Sequence, residues 1–147
     1  MPDYNHVFGP IWQGGVQHDS LNQFDVLVLT ANDVQEPPPG FQGKTLYFPF
    51  KDSPELMNLF VAQRAAKAVL RYLAAHPNAK VLITCYMGWN RSGLVTALIL
   101  RGLGISAPQA ILLVRGARGP NALTNLTFAN WAARDGIMPS PTRSSLS

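Results

Sequence analysis

The sequence predicts an α/β fold: a single domain whose central, largely parallel sheet of about five strands is flanked by helices. Three observations carry that prediction. The runs Phe24–Thr30 and Val81–Thr84 are close to continuously apolar rather than alternating, as strands buried on both faces are. Segments of helical period separate the strand-like runs, and this interleaving gives parallel strands with helices on both faces. No internal repeat or long linker divides the 147 residues, and 47% hydrophobic against 14% charged content excludes wholesale disorder. The folded domain is expected over residues 1–138. The Ser/Pro-rich stretch 139–147 reads as a disordered tail.

The elements follow in order. His6 to Gly15 reads as two short strands about the Gly9-Pro10 turn. Trp12 within it reads as core. Phe24–Thr30 is a central strand. Glu36-Pro37-Pro38-Pro39-Gly40 is a stiffened loop. Lys44–Phe50 is a strand near an edge, because Pro49 lacks a ladder donor. Ser53 suits a helix N-cap, Pro54 a first turn and Glu55 the positive end of the dipole. Leu56, Phe60, Ala66, Val69 and Leu73 continue that helix to about Ala75, before His76-Pro77 ends it. Ser106-Ala107-Pro108 opens another helix, running from Gln109 to about Arg115. Arg115 to Pro120 reads as a solvated basic turn rather than a basic rim to a site. The last helix begins at Thr124 or Asn125.

The chemistry concentrates between Val81 and Leu100. A buried strand ends in Thr84, a tight loop runs from Cys85 to Arg91, and Ser92-Gly93 opens an apolar helix that stops at Gly102/Gly104. A loop between a strand's carboxyl end and a helix N-terminus presents backbone N–H groups and the positive dipole end to one small volume. That volume suits a phosphate. Cys85 is the sole cysteine, so it forms no internal disulfide. The thiolate is its nucleophilic form, and converging N–H groups, the helix N-terminus and Arg91 all favour it. Arg91 can grip two phosphate oxygens with a planar fork, which a lysine cannot. Gly88 permits a backbone conformation closed to other residues. Ser92 can hydrogen-bond the Cys85 sulfur and stabilise it as a leaving group.

Cys85-x-x-Gly88-x-x-Arg91-Ser92-Gly93 resembles the Cys-x5-Arg signature of the cysteine-dependent protein tyrosine phosphatases, and the small chain is most similar to their dual-specificity branch. The resemblance is strong over residues 81–100 and weak over most of the rest. It implies a phosphomonoesterase with a phospho-cysteine intermediate, acting on protein phosphotyrosine and on phosphoserine or phosphothreonine. Rhodanese-type sulfur transferases are disfavoured by their shorter loop. The low-molecular-weight phosphatases are disfavoured because their cysteine loop lies near the N-terminus. The resemblance also implies that the loop residues Cys85, Tyr86, Met87, Gly88, Trp89, Asn90 and Arg91 bind the phosphate. Met87 and Trp89 should turn their side chains away while their backbones face the anion.

The family places a general acid Asp ahead of the cysteine, after a strand and beside a helix start. Asp52 fits, with helix capping as its other reading and Asp33 as the reserve candidate. Asn125-x-x-Phe128 is similar to the segment that opens the family's last helix. No Lys-Asn-Arg-Tyr-like loop is present, which implies a shallow pocket open to aryl and alkyl phosphates.

Two departures from the family supply the alternatives. The histidine that usually precedes the cysteine is Thr84 here, which admits a phosphate-binding pseudophosphatase. Gly88-Trp89-Asn90-Arg91-Ser92-Gly93 is locally similar to the RNA 5'-triphosphatase branch, which admits an RNA 5'-triphosphatase or diphosphatase.

The expected partner is therefore a phosphorylated protein or another anionic phosphate, with an RNA 5' end as the alternative. The net charge of +4 agrees with anionic partners. No cofactor is implied, and His6, His18 and His76 have no metal-ligand spacing. No apolar run approaches a membrane span. With no signal-peptide pattern at its start, the chain is expected in the cytoplasm, where a reducing setting keeps Cys85 active.

Overall fold

The computed structural model describes residues 3–32 and 35–138. Asp33 and the expected tail at 139–147 lie outside the described residues. In chain order the elements are β1 (Tyr4–Phe8), β2 (Ile11–Gly14), β3 (Val26–Ala31), β4 (Lys44–Phe50), α1 (Leu56–Ala75), β5 (Val81–Thr84), α2 (Arg91–Gly102), α3 (Ala107–Arg118) and α4 (Leu126–Ala133). The sheet order is β1-β2-β5-β3-β4. The last four in that order run parallel, and β1 is antiparallel to β2. The single α/β domain and its largely parallel five-stranded sheet are as the sequence predicts. Among the described residues no helix is long and apolar enough to cross a membrane.

β5 lies in the middle of the sheet. Val81 to Thr84 pair with Ile11 to Gly14 of β2 on one side and with Val26 to Leu29 of β3 on the other. This two-sided pairing is why its sequence is apolar throughout, and every residue of it is buried. Cys85 therefore leaves the carboxyl end of the central strand, where open α/β sheets assemble their sites. β4 is the far edge. Its pairing with β3 shifts register between Leu29↔Tyr47 and Ala31↔Phe50, beside Pro49, a residue without an N–H to pair.

The two faces of the sheet are covered differently. Ile11, Val26, Val28, Val81 and Ile83 pack in one core with the buried residues of all four helices. Leu27, Leu29 and Leu82 face the other way and pack with Leu21, Phe24 and the half-buried Tyr4, Trp12 and Phe41, with no helical residue among them. The expectation of helices on both faces is not met. The segments joining β2 to β3 and β3 to β4 carry turn residues and prolines in place of a helical period, so they cover that face as loops. Trp12 is part of this second core, edge-on to Tyr4 and Phe24.

Two helix ends differ from the sequence reading. α1 starts at Leu56 with Glu55 at its N-cap, and no side chain caps it. Ser53 is drawn instead into a tight turn held by Asn58. The Asn58 amide accepts from Lys51 N–H (3.1 Å) and donates to Ser53 O and Oγ (both 2.9 Å). α3 begins at Ala107, with Pro108 in its first turn, and runs through Arg118 to Gly119. Arg115 and Arg118 thus occupy the last turn of a helix rather than a solvated turn. At α4, Asn125 is the N-cap and its side chain accepts from Phe128 N–H.

Candidate active site

The loop from Cys85 to Asn90 is held from outside by its carbonyls. Tyr86 O accepts from Val16 N–H (3.1 Å). Met87 O accepts from Arg118 Nη2 (3.0 Å), and Gly88 O accepts from Arg118 Nε (3.0 Å) and Gln13 Nε2 (3.0 Å). Trp89 O accepts from Leu123 N–H (3.1 Å) and Asn90 O from Leu94 N–H (2.8 Å). No described peptide is cis. In a trans peptide the N–H points opposite to its carbonyl, so Met87, Gly88, Trp89 and Asn90 turn their N–H groups away from this scaffold. Among the described residues no hydrogen bond uses those four N–H groups.

Gly88 sits at φ +75°, the left-handed region that disfavours any residue with a Cβ. Space also requires it. A Cβ there would lie 2.5 Å from Arg118 Nη2, 2.5 Å from Gly14 C and 2.6 Å from Gly15 N. Conformation and contact thus converge on glycine at the middle of the loop.

Cys85 is 2% exposed, and its Sγ lies 3.2 Å from Ser92 Oγ, a fully buried hydroxyl in the first turn of α2. Arg91 opens the same helix. Its Nη1 reaches Asn32 Oδ1 (2.9 Å) and Phe50 O (3.5 Å), which places the guanidinium beside the carboxyl ends of β3 and β4. The side chains of Tyr86 and Met87 are exposed and that of Trp89 is half-buried.

Asp52 reaches the rim of this loop from the turn that Asn58 holds. Its Oδ1 accepts from Asn125 Nδ2 (2.7 Å) and its Oδ2 from Asn90 Nδ2 (3.4 Å). Both amides have their orientation fixed by backbone donors. Asn125 Oδ1 accepts from Phe128 N–H and Asn90 Oδ1 from Asn125 N–H (2.9 Å), so each presents its NH₂ to the carboxylate. Asp52 does not cap α1.

The position before the cysteine is held without a histidine. Thr84 Oγ1 donates to Val28 O (3.1 Å) and accepts from Gln35 Nε2 (2.9 Å), whose Oε1 accepts from Ala31 N–H (3.0 Å). Thr30 Oγ1 donates to Thr84 O (2.9 Å). Among the described residues no group of three His, Cys, Asp or Glu side chains could hold a metal ion.

A family model for the tyrosine phosphatase family matches residues 44–112, a span from β4 into α3 that includes Asp52, Cys85, Arg91 and Ser92. Solved structures share the fold. Human DUSP28 is 22% identical, with 90% of this chain and 91% of that chain covered and a TM-score of 0.74. The chain has the dual-specificity-phosphatase-like fold. A mouse dual-specificity phosphatase candidate, solved with zinc tungstate, is 21% identical over 96% of this chain and 95% of its own, with a TM-score of 0.74. Tk-PTP in its active form is 23% identical over 90% and 97%, with a TM-score of 0.65. No curated protein matches the chain.

Of the residues expected at the site from the sequence, the fold brings Cys85 against Ser92 and Asp52 against Asn90, while Arg91 opens α2 with its guanidinium on Asn32 and Phe50. Sequence reasoning missed the frame around them. Gln13, Gln35 and Asn58 are neutral amides with no charge or spacing to mark them, and the sequence marks Asn125 only as the opening of the last helix, through Asn125-x-x-Phe128. Arg118 was misread. Its side chain is 5% exposed, its Nη1 reaches Asn5 Oδ1 (2.7 Å) and pairs with Asp3 Oδ1 (2.9 Å), and two of its nitrogens hold the loop carbonyls.

Proposed function

We propose that this domain is a phosphomonoesterase that uses Cys85 as nucleophile and passes through a phospho-cysteine intermediate. One observation carries the proposal: the loop carbonyls are bound on the outside, so consecutive amide N–H groups turn toward the side on which a tetrahedral oxyanion would sit beside a buried thiol. The Arg91 guanidinium stands at the same loop's end and supplies the bidentate grip on two equatorial oxygens.

Cys85 Sγ attacks phosphorus in line with the leaving oxygen, and the oxygen–phosphorus bond breaks. Loop amides and Arg91 stabilise the charge on the three equatorial oxygens. Asp52 delivers its proton to the departing alkoxide or phenoxide. Its carboxylate then takes a proton from water, the water oxygen bonds to phosphorus, and the Sγ–phosphorus bond breaks. The electron pair stays on sulfur, where the Ser92 hydroxyl stabilises it.

The substrate is a phosphorylated protein, with phosphotyrosine and phosphoserine or phosphothreonine both accepted by a shallow site. Asp52, anchored by Asn90 and Asn125, supports this reading over an RNA 5' end, because a diphosphate leaving group has little need of an acid. Asn90, whose resemblance suggested RNA, is engaged with Asp52 and α4. The pseudophosphatase reading rested on Thr84, and the Gln35–Thr84–Val28 chain supports a loop kept in place without histidine.

Turnover of an aryl phosphate, a phosphotyrosine peptide, a phosphoserine peptide and triphosphate-ended RNA by wild type and Cys85→Ser tests the proposal. Cys85-dependent hydrolysis of the aryl and peptide substrates is expected. No turnover by wild type would leave a phosphate-binding domain, and a strong preference for triphosphate RNA would replace the substrate.

A further inference from the structure

Gln13 is a fully buried polar side chain in the middle of an apolar sheet, and the phosphomonoesterase chemistry above does not use it. It stands on β2 between β1 and β5, two residues beyond the equally buried Ile11, so both face the helical core. An aliphatic side chain would fill this place without desolvating an amide. The amide makes two contacts: Nε2 donates to Gly88 O at 3.0 Å and lies 3.3 Å from Ser92 Oγ. Oε1 is buried and has no hydrogen-bond partner among the described residues. A buried acceptor left without a donor costs about 1–3 kcal/mol. The residue is therefore poorly explained as a contribution to stability.

The orientation of the amide is fixed. Gly88 O is a carbonyl and can only accept, so the NH₂ must face it; the flipped amide would set two oxygens against each other. With the NH₂ so placed, its second hydrogen is directed at Ser92 Oγ. A serine hydroxyl has one hydrogen and two acceptor lone pairs. When Oγ accepts from Gln13, that hydrogen is left for the other neighbour, Cys85 Sγ at 3.2 Å.

We propose that Gln13 is a positioning residue that sets the polarity of the Ser92 hydroxyl, so that Ser92 donates to the Cys85 sulfur. Gln13 touches neither substrate nor sulfur. It makes the hydroxyl an obligate donor at the moment the Sγ–phosphorus bond breaks and the electron pair returns to sulfur. The same bond stabilises the thiolate in the resting enzyme, in a chain where Thr84 stands in place of the usual histidine. This inference rests on the nucleophilic role of Cys85 proposed above.

The test compares wild type, Gln13→Met, Ser92→Ala and the double variant, with Gln13→Leu as a second apolar replacement. Two readouts are taken: kcat on an aryl phosphate, and the pH profile of iodoacetamide alkylation of Cys85, the sole thiol. The alkylation readout does not require turnover. Gln13→Met is expected to melt at or above the wild-type temperature, because the unpaired Oε1 is removed. It is also expected to lower kcat about tenfold, the loss of one hydrogen bond to a charged group, and to move the alkylation profile to higher pH. Adding Gln13→Met to Ser92→Ala should change neither readout further.

Unchanged kcat and alkylation profile in folded Gln13→Met would overturn the inference, and so would losses that multiply in the double variant. Failure of both Gln13→Met and Gln13→Leu to fold would also overturn it, since the amide would then be holding the sheet. If wild type turns over no phosphate ester while Gln13→Met still shifts the alkylation profile, the hydroxyl's polarity stands and the proposed enzymatic function falls.

Discussion

Cys85 and Asp52 are both tied to the loop that ends at Arg91, yet their surroundings differ in kind. Cys85 is buried, and the carbonyls of the loop around it are held by the N–H groups of Val16, Leu94 and Leu123 and by the buried side chains of Gln13 and Arg118. Asp52 is exposed on a turn of irregular backbone, and what holds it are the side-chain amides of Asn58, Asn90 and Asn125. A contact buried among packed elements admits little adjustment. A side-chain contact on the surface can open and close. On the proposed mechanism the Cys85 pocket keeps a fixed geometry and the exposed Asp52 turn leaves room for a small movement, which would suit a proton donor that meets leaving groups of different size.

If that contrast is right, damage at the nucleophile should be large and independent of substrate. Cys85→Ser is expected to reduce turnover to the assay background with the fold intact, and the protein should still bind vanadate or tungstate; turnover near wild type would end the covalent mechanism. Next comes Arg91→Lys, a point charge in place of a fork, expected to lower kcat/KM about 10³-fold on aryl and alkyl phosphates alike. Near-normal kcat/KM would remove Arg91 from the site.

Gly88→Ala tests the frame rather than the chemistry. The methyl group requires a left-handed residue to carry a Cβ and meets Gly14, Gly15 and Arg118 within 2.6 Å. The expected cost is about 2–4 kcal/mol of stability, read by chemical denaturation. A loss of about 100-fold in kcat on every substrate should accompany it, because displaced amides no longer meet the equatorial oxygens. A folded, fully active Gly88→Ala would mean that the loop adjusts freely, and the contrast with the Asp52 turn would disappear.

The same contrast explains what the sequence disclosed. The sheet was legible because burial on two sides leaves an apolar run, as in Val81–Thr84, and the loop was legible because Cys85, Gly88 and Arg91 stand at a spacing that resembles a known phosphate-binding signature. Asp52 stood out as the first carboxylate after a strand, ahead of Glu55 at the helix start. The second face of the sheet was misjudged, because a covering loop and a covering helix leave the same apolar residues on the strands they bury. The supporting frame stayed hidden because it is made of neutral amides and of carbonyls that every residue has. Gln13, on β2, meets Ser92 across 79 positions of chain, and no local pattern records such a contact. Arg118 looked like surface charge until its burial and its carbonyl partners were known.

Predictions on the acid side are smaller and depend on the substrate. A general acid matters most when the departing oxygen is strongly basic. Asp52→Asn is therefore expected to lower kcat about 100-fold for alkyl phosphates, less for phosphotyrosine, and least for activated aryl phosphates. Measuring kcat across a leaving-group series, with chemistry shown to limit the rate, checks this order. An equal loss on every substrate would make Asp52 structural.

The smallest effect separates two roles that Asn125 combines. Its Oδ1 caps α4 by accepting from Phe128 N–H at 3.1 Å, and its Nδ2 donates to Asp52 Oδ1 at 2.7 Å. In the protonated acid the oxygen receiving that donor is the carbonyl-like one, so the transferable proton sits on Oδ2, which has the longer 3.4 Å contact with Asn90. Serine caps a helix as well as asparagine but has no NH₂ to offer the carboxylate. Asn125→Ser should therefore leave stability within about 0.5 kcal/mol and lower kcat about threefold for poor leaving groups, with activated aryl phosphates unaffected. Asn125→Ala should show the same kinetic loss together with about 1 kcal/mol of destabilisation from the missing cap. If Asn125→Ser matches wild type on alkyl phosphates while Asn125→Ala loses both, activity follows the cap. The acid would then be oriented by its own turn, through Asn58, rather than by the helix across the site.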